Sequence, residues 1–225
     1  MSATQLLKLA FILFCLFPSV SSAEQVKLVG NKLFIAAKRA VQARFTIDYA
    51  SPRCDERKRG IRSSTVCVYY HDADNYFRYG KTEEISLGSF ASGSVARILF
   101  IGSTQGDDYH NFTNIPDAAY GRGGDDNLRS EADYARLNGG AGDDSLTAAG
   151  DHVTLKGGNG KDRLVATGFS CNVFAGVDND SDLIETKTWY DQPAYVDTIH
   201  QANTTHQVAD YRDIVRRDSQ DIILR

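Results

Sequence analysis

Asp126, Asp144 and Asp162 recur every eighteen residues in one short setting: GRGGDDNL from Gly121, GGAGDDSL from Gly139 and GGNGKDRL from Gly157. A carboxylate fixed just behind a glycine turn can aim oxygen at a cation, because glycine accepts the positive-φ backbone that the turn needs. Backbone carbonyls at Gly121, Gly123, Gly140, Gly142, Gly158 and Gly160 add oxygens to each set, and Gly124 completes the first turn. All-oxygen sets suit calcium, which takes about six to eight oxygens at roughly 2.3–2.6 Å. Magnesium demands a near-ideal octahedron and keeps its waters, while zinc wants His or Cys, and neither recurs at this spacing.

Two flanking stretches extend the alignment. STQGDDYH from Ser103 places Gly106 and Asp108 at the cation positions, and AGVDNDSD from Ala175 puts Asp178 at a glycine position with Asp180 in register. The copies from Gly121 and Gly139 both keep Gly-Asp-Asp, so the site between them is expected to bind most tightly. Roughly two to four ions follow, the outer ones weak.

Repeats of the form Gly-Gly-x-Gly-x-Asp-x-apolar-x mark parallel β-solenoids that bind calcium. Residues 102–184, about a third of the chain, resemble the RTX (hemolysin-type) calcium-binding repeat family on these motifs. The resemblance implies a right-handed β-roll with each ion held between one turn and the next. Typical members carry the motif on both edges, and this chain departs from that pattern.

The departure is visible in a second period. An apolar residue recurs every nine positions through Ala119, Leu128, Leu137, Leu146, Leu155, Leu164 and Val173. Side chains alternate along a strand, so this ladder reads as two short strands per turn, each pointing one apolar residue inward. Where the motif half-turns have Asp126, Asp144 and Asp162, the intervening ones have Ala135, Val153 and Cys171. Calcium is therefore expected along one edge and a dry, small-residue stack along the other. Turns stacked about 4.8 Å apart would set carboxylates against each other at roughly 3 kcal/mol per pair, for an effective dielectric near 20. The repeat block should accordingly need its ions to fold.

The elements around the block must position it. Residues 1–23 read as a secretory signal: a weakly positive start to Lys8, an apolar run from Leu9 to Phe17, and small residues Ser21-Ser22-Ala23 at the cleavage site. Residues 24–101 carry short β-rich runs, including Val66–Tyr70, Tyr76–Tyr79 and Ile85–Phe90, with one hairpin around Asp72-Ala73-Asp74-Asn75. Residues 185–225, with Trp189, Tyr190 and Tyr195, are expected to cap the open end. The fold class is thus all-β: a β-solenoid preceded by a short β-rich region and closed by a C-terminal cap.

Charge and cysteines narrow the function. Residues 24–101 hold 13 basic and 8 acidic groups, whereas residues 102–184 hold 6 and 14. Such an acidic block argues against a nucleic-acid partner. The basic front half, with Arg53, Arg57, Lys58, Arg59 and Arg62, could meet an anionic polymer, although a solvated loop is the simpler reading. Once a signal is removed, three cysteines remain; Cys54 and Cys67 flank that loop and could close it as a disulfide, leaving Cys171 as a small core residue. No long apolar segment is left to span a membrane.

Catalytic motifs are sparse. His-Glu-x-x-His and Gly-x-Ser-x-Gly are both missing from the sequence, and the five histidines show no metal spacing. Tyr109 and His110 could in principle act as acid and base on a sugar chain; surface polar groups of a degenerate repeat explain them more simply. The sequence therefore points to a secreted calcium-binding structural or adhesion module that meets an extracellular polysaccharide or cell-surface component. A carbohydrate-active enzyme of the lyase or epimerase type is the alternative.

Overall fold

The computed structural model describes residues 25–37, 43–50, 64–72, 84–176, 178, 180–186, 198–200, 214–216 and 222–224. These residues build a parallel β-solenoid of two nine-stranded sheets, interrupted by one 3-10 turn at Ser92–Ser94. The signal segment, Cys54 and its basic loop, the Asp72–Asn75 connection beyond Asp72, Tyr76–Tyr79, Trp189, Tyr190 and Tyr195 lie outside the described residues.

Each coil contributes one strand to each sheet. In chain order these are β1 (Gln25–Val29), β2 (Lys32–Ala36), β3 (Ala43–Ala50), β4 (Thr65–Asp72), β5 (Glu84–Ala91) and β6 (Arg97–Ile101). The repeat block supplies β7 (Asp108–Asn111), β8 (Asp117–Tyr120), β9 (Asn127–Ser130), β10 (Arg136–Ala141), β11 (Ser145–Ala148), β12 (Thr154–Asn159), β13 (Arg163–Ala166), β14 (Asn172–Gly176) and β15 (Leu183–Thr186). Beyond it lie β16 (Thr198–His200), β17 (Ile214–Arg216) and β18 (Ile222–Leu224). The first sheet runs β1-β2-β6-β8-β10-β12-β14-β16-β18, the second β17-β15-β13-β11-β9-β7-β3-β4-β5.

Parallel pairing starts earlier and ends later than the repeat motif. β2 already lies parallel to β6 and β3 to β7, and β16 to β18 continue the two ladders past residue 184. Glycine-aspartate corners are thus one segment of a longer coil. Between the first and second coils β4 runs antiparallel to β3 and to β5, which extends the second sheet, while the turn and the Tyr76–Tyr79 strand of the expected hairpin lie outside the described residues.

The nine-residue ladder is realised. Leu128, Leu146 and Leu164 stack in register on the second sheet, and Ala119, Leu137, Leu155 and Val173 on the first, all of them buried. Ala135, Val153 and Cys171 form the small-residue stack at the opposite edge, also buried. Cys171 is a free thiol inside that stack, whereas Cys67 is disulfide-bonded. Toward the N-terminus the lumen fills with rings: Phe100 stacks on Tyr109 at 4.6 Å and meets Phe45 at 5.3 Å.

Candidate metal centre

At the corner that joins the first sheet to the second, glycine is demanded by the neighbouring coil. Gly140, Gly142, Gly158 and Gly160 have φ between 115° and 129°. A Cβ on Gly158 would lie 2.1 Å from the Gly140 carbonyl oxygen, and one on Gly160 would lie 2.3 Å from that of Gly142. Carbonyl oxygens therefore point from each coil straight at the next one. Gly121, Gly139 and Gly157 are glycines for another reason: a Cβ there would meet Oδ2 of Asp126, Asp144 or Asp162 at 2.0–2.1 Å. The carboxylate folds back over its own turn.

Those aspartates form a column. Asp126 Oδ1 accepts the Asp107 amide at 2.7 Å, Asp144 Oδ1 the Asp126 amide at 2.8 Å, Asp162 Oδ1 the Asp144 amide at 3.0 Å, and Asp182 Oδ1 the Asp162 amide at 2.8 Å. Each aspartate exposes no more than 2% of its surface. Oδ2 of Asp126, Asp144 and Asp162, and Oδ1 of Asp107, are buried without a hydrogen-bond partner. An unmet buried carboxylate oxygen is costly unless a cation or proton neutralises it.

Electrostatics agree. Burial, reinforced by the neighbouring carboxylates, pushes Asp126 up to about 7, Asp144 to about 6 and Asp162 to about 8, against backbone hydrogen bonds that pull each one down. Asp107 is raised too, by burial, partly offset by hydrogen bonds from Ser103. Around Asp162 the acidic neighbours are Asp182, Asp144 and Asp178, around Asp126 they are Asp144, Asp107 and Asp125, and around Asp144 they are Asp125 and Asp143. Negative charge is therefore concentrated along the whole column, including between the copies from Gly121 and Gly139.

Two register expectations need correction. Coil-to-coil separation is 18 residues between Asp126, Asp144 and Asp162, but 19 from Asp107 to Asp126 and 20 from Asp162 to Asp182. Asp107 and Asp182 therefore hold the column positions that the uniform period gave to Asp108 and Asp180. Slipping one residue turns a strand side chain to the other face: Asp108 points outward and pairs with Arg44 at 2.6 Å. Tyr109, not His110, then fills the inward position. The extra residue sits in the opposite corner, where Asn111 Oδ1 accepts the Thr113 amide and hydroxyl. At the far end the glycine corner itself is longer. There Asp178 Oδ2 accepts the Gly160 amide and its Oδ1 the Asp180 amide, so Asp178 stays with the corner while Asp180 lies in the added loop. The signal that could have revealed both shifts is the apolar ladder, which prefers Tyr109 and Ile184 over His110 and Asp182.

The opposite edge also carries aspartates. Asp133 Oδ1 accepts the Asp151 amide and Asp151 Oδ1 the Phe169 amide, in a shorter and more exposed ladder. Its turns use non-glycine residues at positive φ: Tyr134, His152 and Ser170.

Donor chemistry at the glycine corner fits a hard cation. Asp126, Asp144 and Asp162 with the carbonyls of Gly140, Gly142, Gly158 and Gly160 supply oxygen alone, and the partnerless oxygens are where a cation or a proton would neutralise the carboxylates. Among the described residues no three His, Cys, Asp or Glu side chains converge on one point, so backbone carbonyls would have to complete any coordination shell.

The pair considered for acid–base work is not available to a surface substrate. Tyr109 is fully buried, and its hydroxyl donates to Asp117 Oδ2 at 2.9 Å. Asp117, likewise buried, also accepts Ser130 Oγ at 2.7 Å, and burial pushes it up to about 6. Asn111, first residue of the sequon Asn111-Phe112-Thr113, is buried with its Nδ2 donating to the Ile115 carbonyl, so it cannot carry a glycan in this fold. Among the described residues no helix is long and apolar enough to cross a membrane. Comparison with known protein families, with curated proteins and with solved structures finds no match for this chain.

Proposed function

We propose that this chain is a secreted calcium-binding β-solenoid that completes its fold on binding the ion and serves as an extracellular structural or surface-binding module. One observation carries the reading: a column of buried aspartates, each presenting an oxygen with no partner beside a corner crowded with carbonyls. Calcium supplies charge to that column; the chain supplies oxygens spaced by the coil and a corner in which only glycine fits. Protons are the alternative neutraliser, which is why carboxylates there hold protons toward neutral pH. Ions would lie along the glycine edge, with Asp107 and Asp182 as its end members and the site between the copies from Gly121 and Gly139 binding most tightly.

The deciding experiment is a calcium titration of the full chain at pH 8 after chelation, read by far-UV circular dichroism and thermal unfolding. Gain of β signal and of melting temperature with calcium, and not with equal magnesium, is the expected result. A β signal that is already complete in excess chelator and indifferent to calcium overturns the reading.

A further inference from the structure

The two sheets treat their outward cations differently. On the second sheet Arg44 pairs with Asp108 at 2.6 Å, Arg163 with Glu185 at 2.8 Å and Arg129 with Glu131 at 3.5 Å. On the first sheet Lys27, on the edge strand β1, has an interaction of its own, but Lys32, Arg97, Arg136 and Lys156 face outward, and among the described residues none of these four has an ion-pair partner. The one carboxylate within the strands β1 to β14 of that sheet, Asp117, points into the lumen. In a chain with net charge −4, this face is the exception.

Registers give the cations an order. Lys32 pairs with Arg97 across β2 and β6; Arg136 lies two strands on, opposite Ala118; Lys156 follows on β12, opposite Asn138. With strands about 4.8 Å apart, the row climbs diagonally across β2, β6, β8, β10 and β12, about 19 Å across the strands and, with four residues of register, about 13 Å along them, roughly 23 Å in all. Ala118, small and 7% exposed, floors the middle of the row, and Tyr120 stands beside it at 42% exposure. At the far end the Lys156 ammonium lies 5.3 Å from the Phe174 ring.

We propose that the outer face of the first sheet binds an acidic linear polysaccharide, with Lys32, Arg97, Arg136 and Lys156 meeting its carboxylates and Tyr120 stacking on a sugar ring. The steps between neighbouring cations, about 5, 12 and 8 Å along the row, are of the order of one to two pyranose units, so successive cations meet successive or alternate sugars. Exposed carboxylates at both borders, Asp125 and Asp143 at the glycine corner and Asp133 at the other, confine the basic strip to about five residues, roughly 16 Å. A single sugar chain fits between those borders; a nucleic-acid duplex would ride over the carboxylates. A lipid surface is disfavoured because the large apolar side chains exposed among the described residues are only Val29, Tyr120 and Tyr134.

This inference gives the surface-binding reading a face and a ligand class, and it is tested separately from calcium. Full-length, calcium-saturated protein is titrated with short labelled oligogalacturonates, with a neutral malto-oligosaccharide, duplex DNA and anionic phospholipid vesicles in parallel. The expected result is salt-sensitive binding of the oligogalacturonate alone, weakened at least about tenfold by R136E/K156E and unchanged by R129E/R163E on the other sheet. R136Q/K156Q, expected to weaken binding by a smaller factor, serves if the charge reversal fails to fold. No binding by the wild type, equal loss from both pairs of reversals, or tighter binding of DNA or vesicles overturns the proposal. The calcium midpoint of R136E/K156E is measured alongside and is expected to match the wild type, so a failure at the face is distinguishable from a failure at the glycine corner.

Discussion

Replacing Asp144 by Asn should change stability in opposite directions with and without calcium. In the fold Asp144 titrates near 6 against an ordinary value of 3.8, because burial and the carboxylates of Asp125 and Asp143 disfavour its charge. At pH 8 the ionised side chain therefore opposes folding by about two units, or about 3 kcal/mol at most. Asn keeps an oxygen to accept the Asp126 amide, now at 2.8 Å. Its NH2 group would replace the partnerless Oδ2, and leaving that donor unmet costs about 1–3 kcal/mol. The net expectation is a gain of up to about 2 kcal/mol for Asp144→Asn at pH 8 in chelator. With calcium the same change removes a charged ligand, so the calcium midpoint should rise by about tenfold or more and the calcium-loaded protein should lose stability. Urea unfolding at pH 8, in chelator and in saturating calcium, reads both arms. Loss of stability in both conditions, or an unmoved calcium midpoint, would refute the electrostatic account of the column.

Three further outcomes are expected. Gly158→Ala, at φ +129° with its Cβ 2.1 Å from a backbone oxygen, should cost about 3 kcal/mol or more in denaturant midpoint, whereas Gly123→Ala, whose nearest neighbour is 3.7 Å away, should stay within about 1 kcal/mol. Asp107→Ala should destabilise by about 1–3 kcal/mol because Ser103 loses its acceptor, while Asp108→Ala breaks a surface pair with Arg44 and an exposed bond from Asn127 Nδ2 and should cost under about 1 kcal/mol; equal costs would favour the uniform period. Asp117, raised from 3.8 to about 6, contributes stability that is present below its unfolded value and lost as pH rises through its folded one. Calcium-saturated Asp117→Asn should accordingly show a smaller fall in melting temperature between about pH 4 and 7 than the wild type.

Much of the solenoid is legible in its sequence because stacking is strictly local: each rung repeats the same inward position. Leu128, Leu146 and Leu164 declare it, and so do Ala135, Val153 and Cys171 opposite them. What is less legible is where the count slips. A Gly-Asp-Asp triplet offers two aspartates, and only the core decides which one turns inward; at Tyr109 the ring claims the lumen and drags Asp107 into the column. In the last copy, Asp178, Asp180 and Asp182 all resemble ligands, and Ile184 fixes the register. The unpaired cations of the first sheet escape sequence reading altogether, since Lys32 and Arg97 become neighbours only through pairing across an inserted hairpin.

The hairpin and β1 give the rod two different ends. At its N-terminal end the first sheet finishes on β1 and the second on β5: the first ladder reverses once, β1 antiparallel to β2, and the second twice, β4 antiparallel to β3 and β5 to β4. A parallel coil arriving from another molecule would find β1 running against its own strand on the first sheet, while β5, reversed twice, runs with the ladder on the second. Only one of the two sheets could be continued in parallel there. Open solenoid edges are templates for fibres, and the single reversal at β1 breaks the match at the end where the first coil lies.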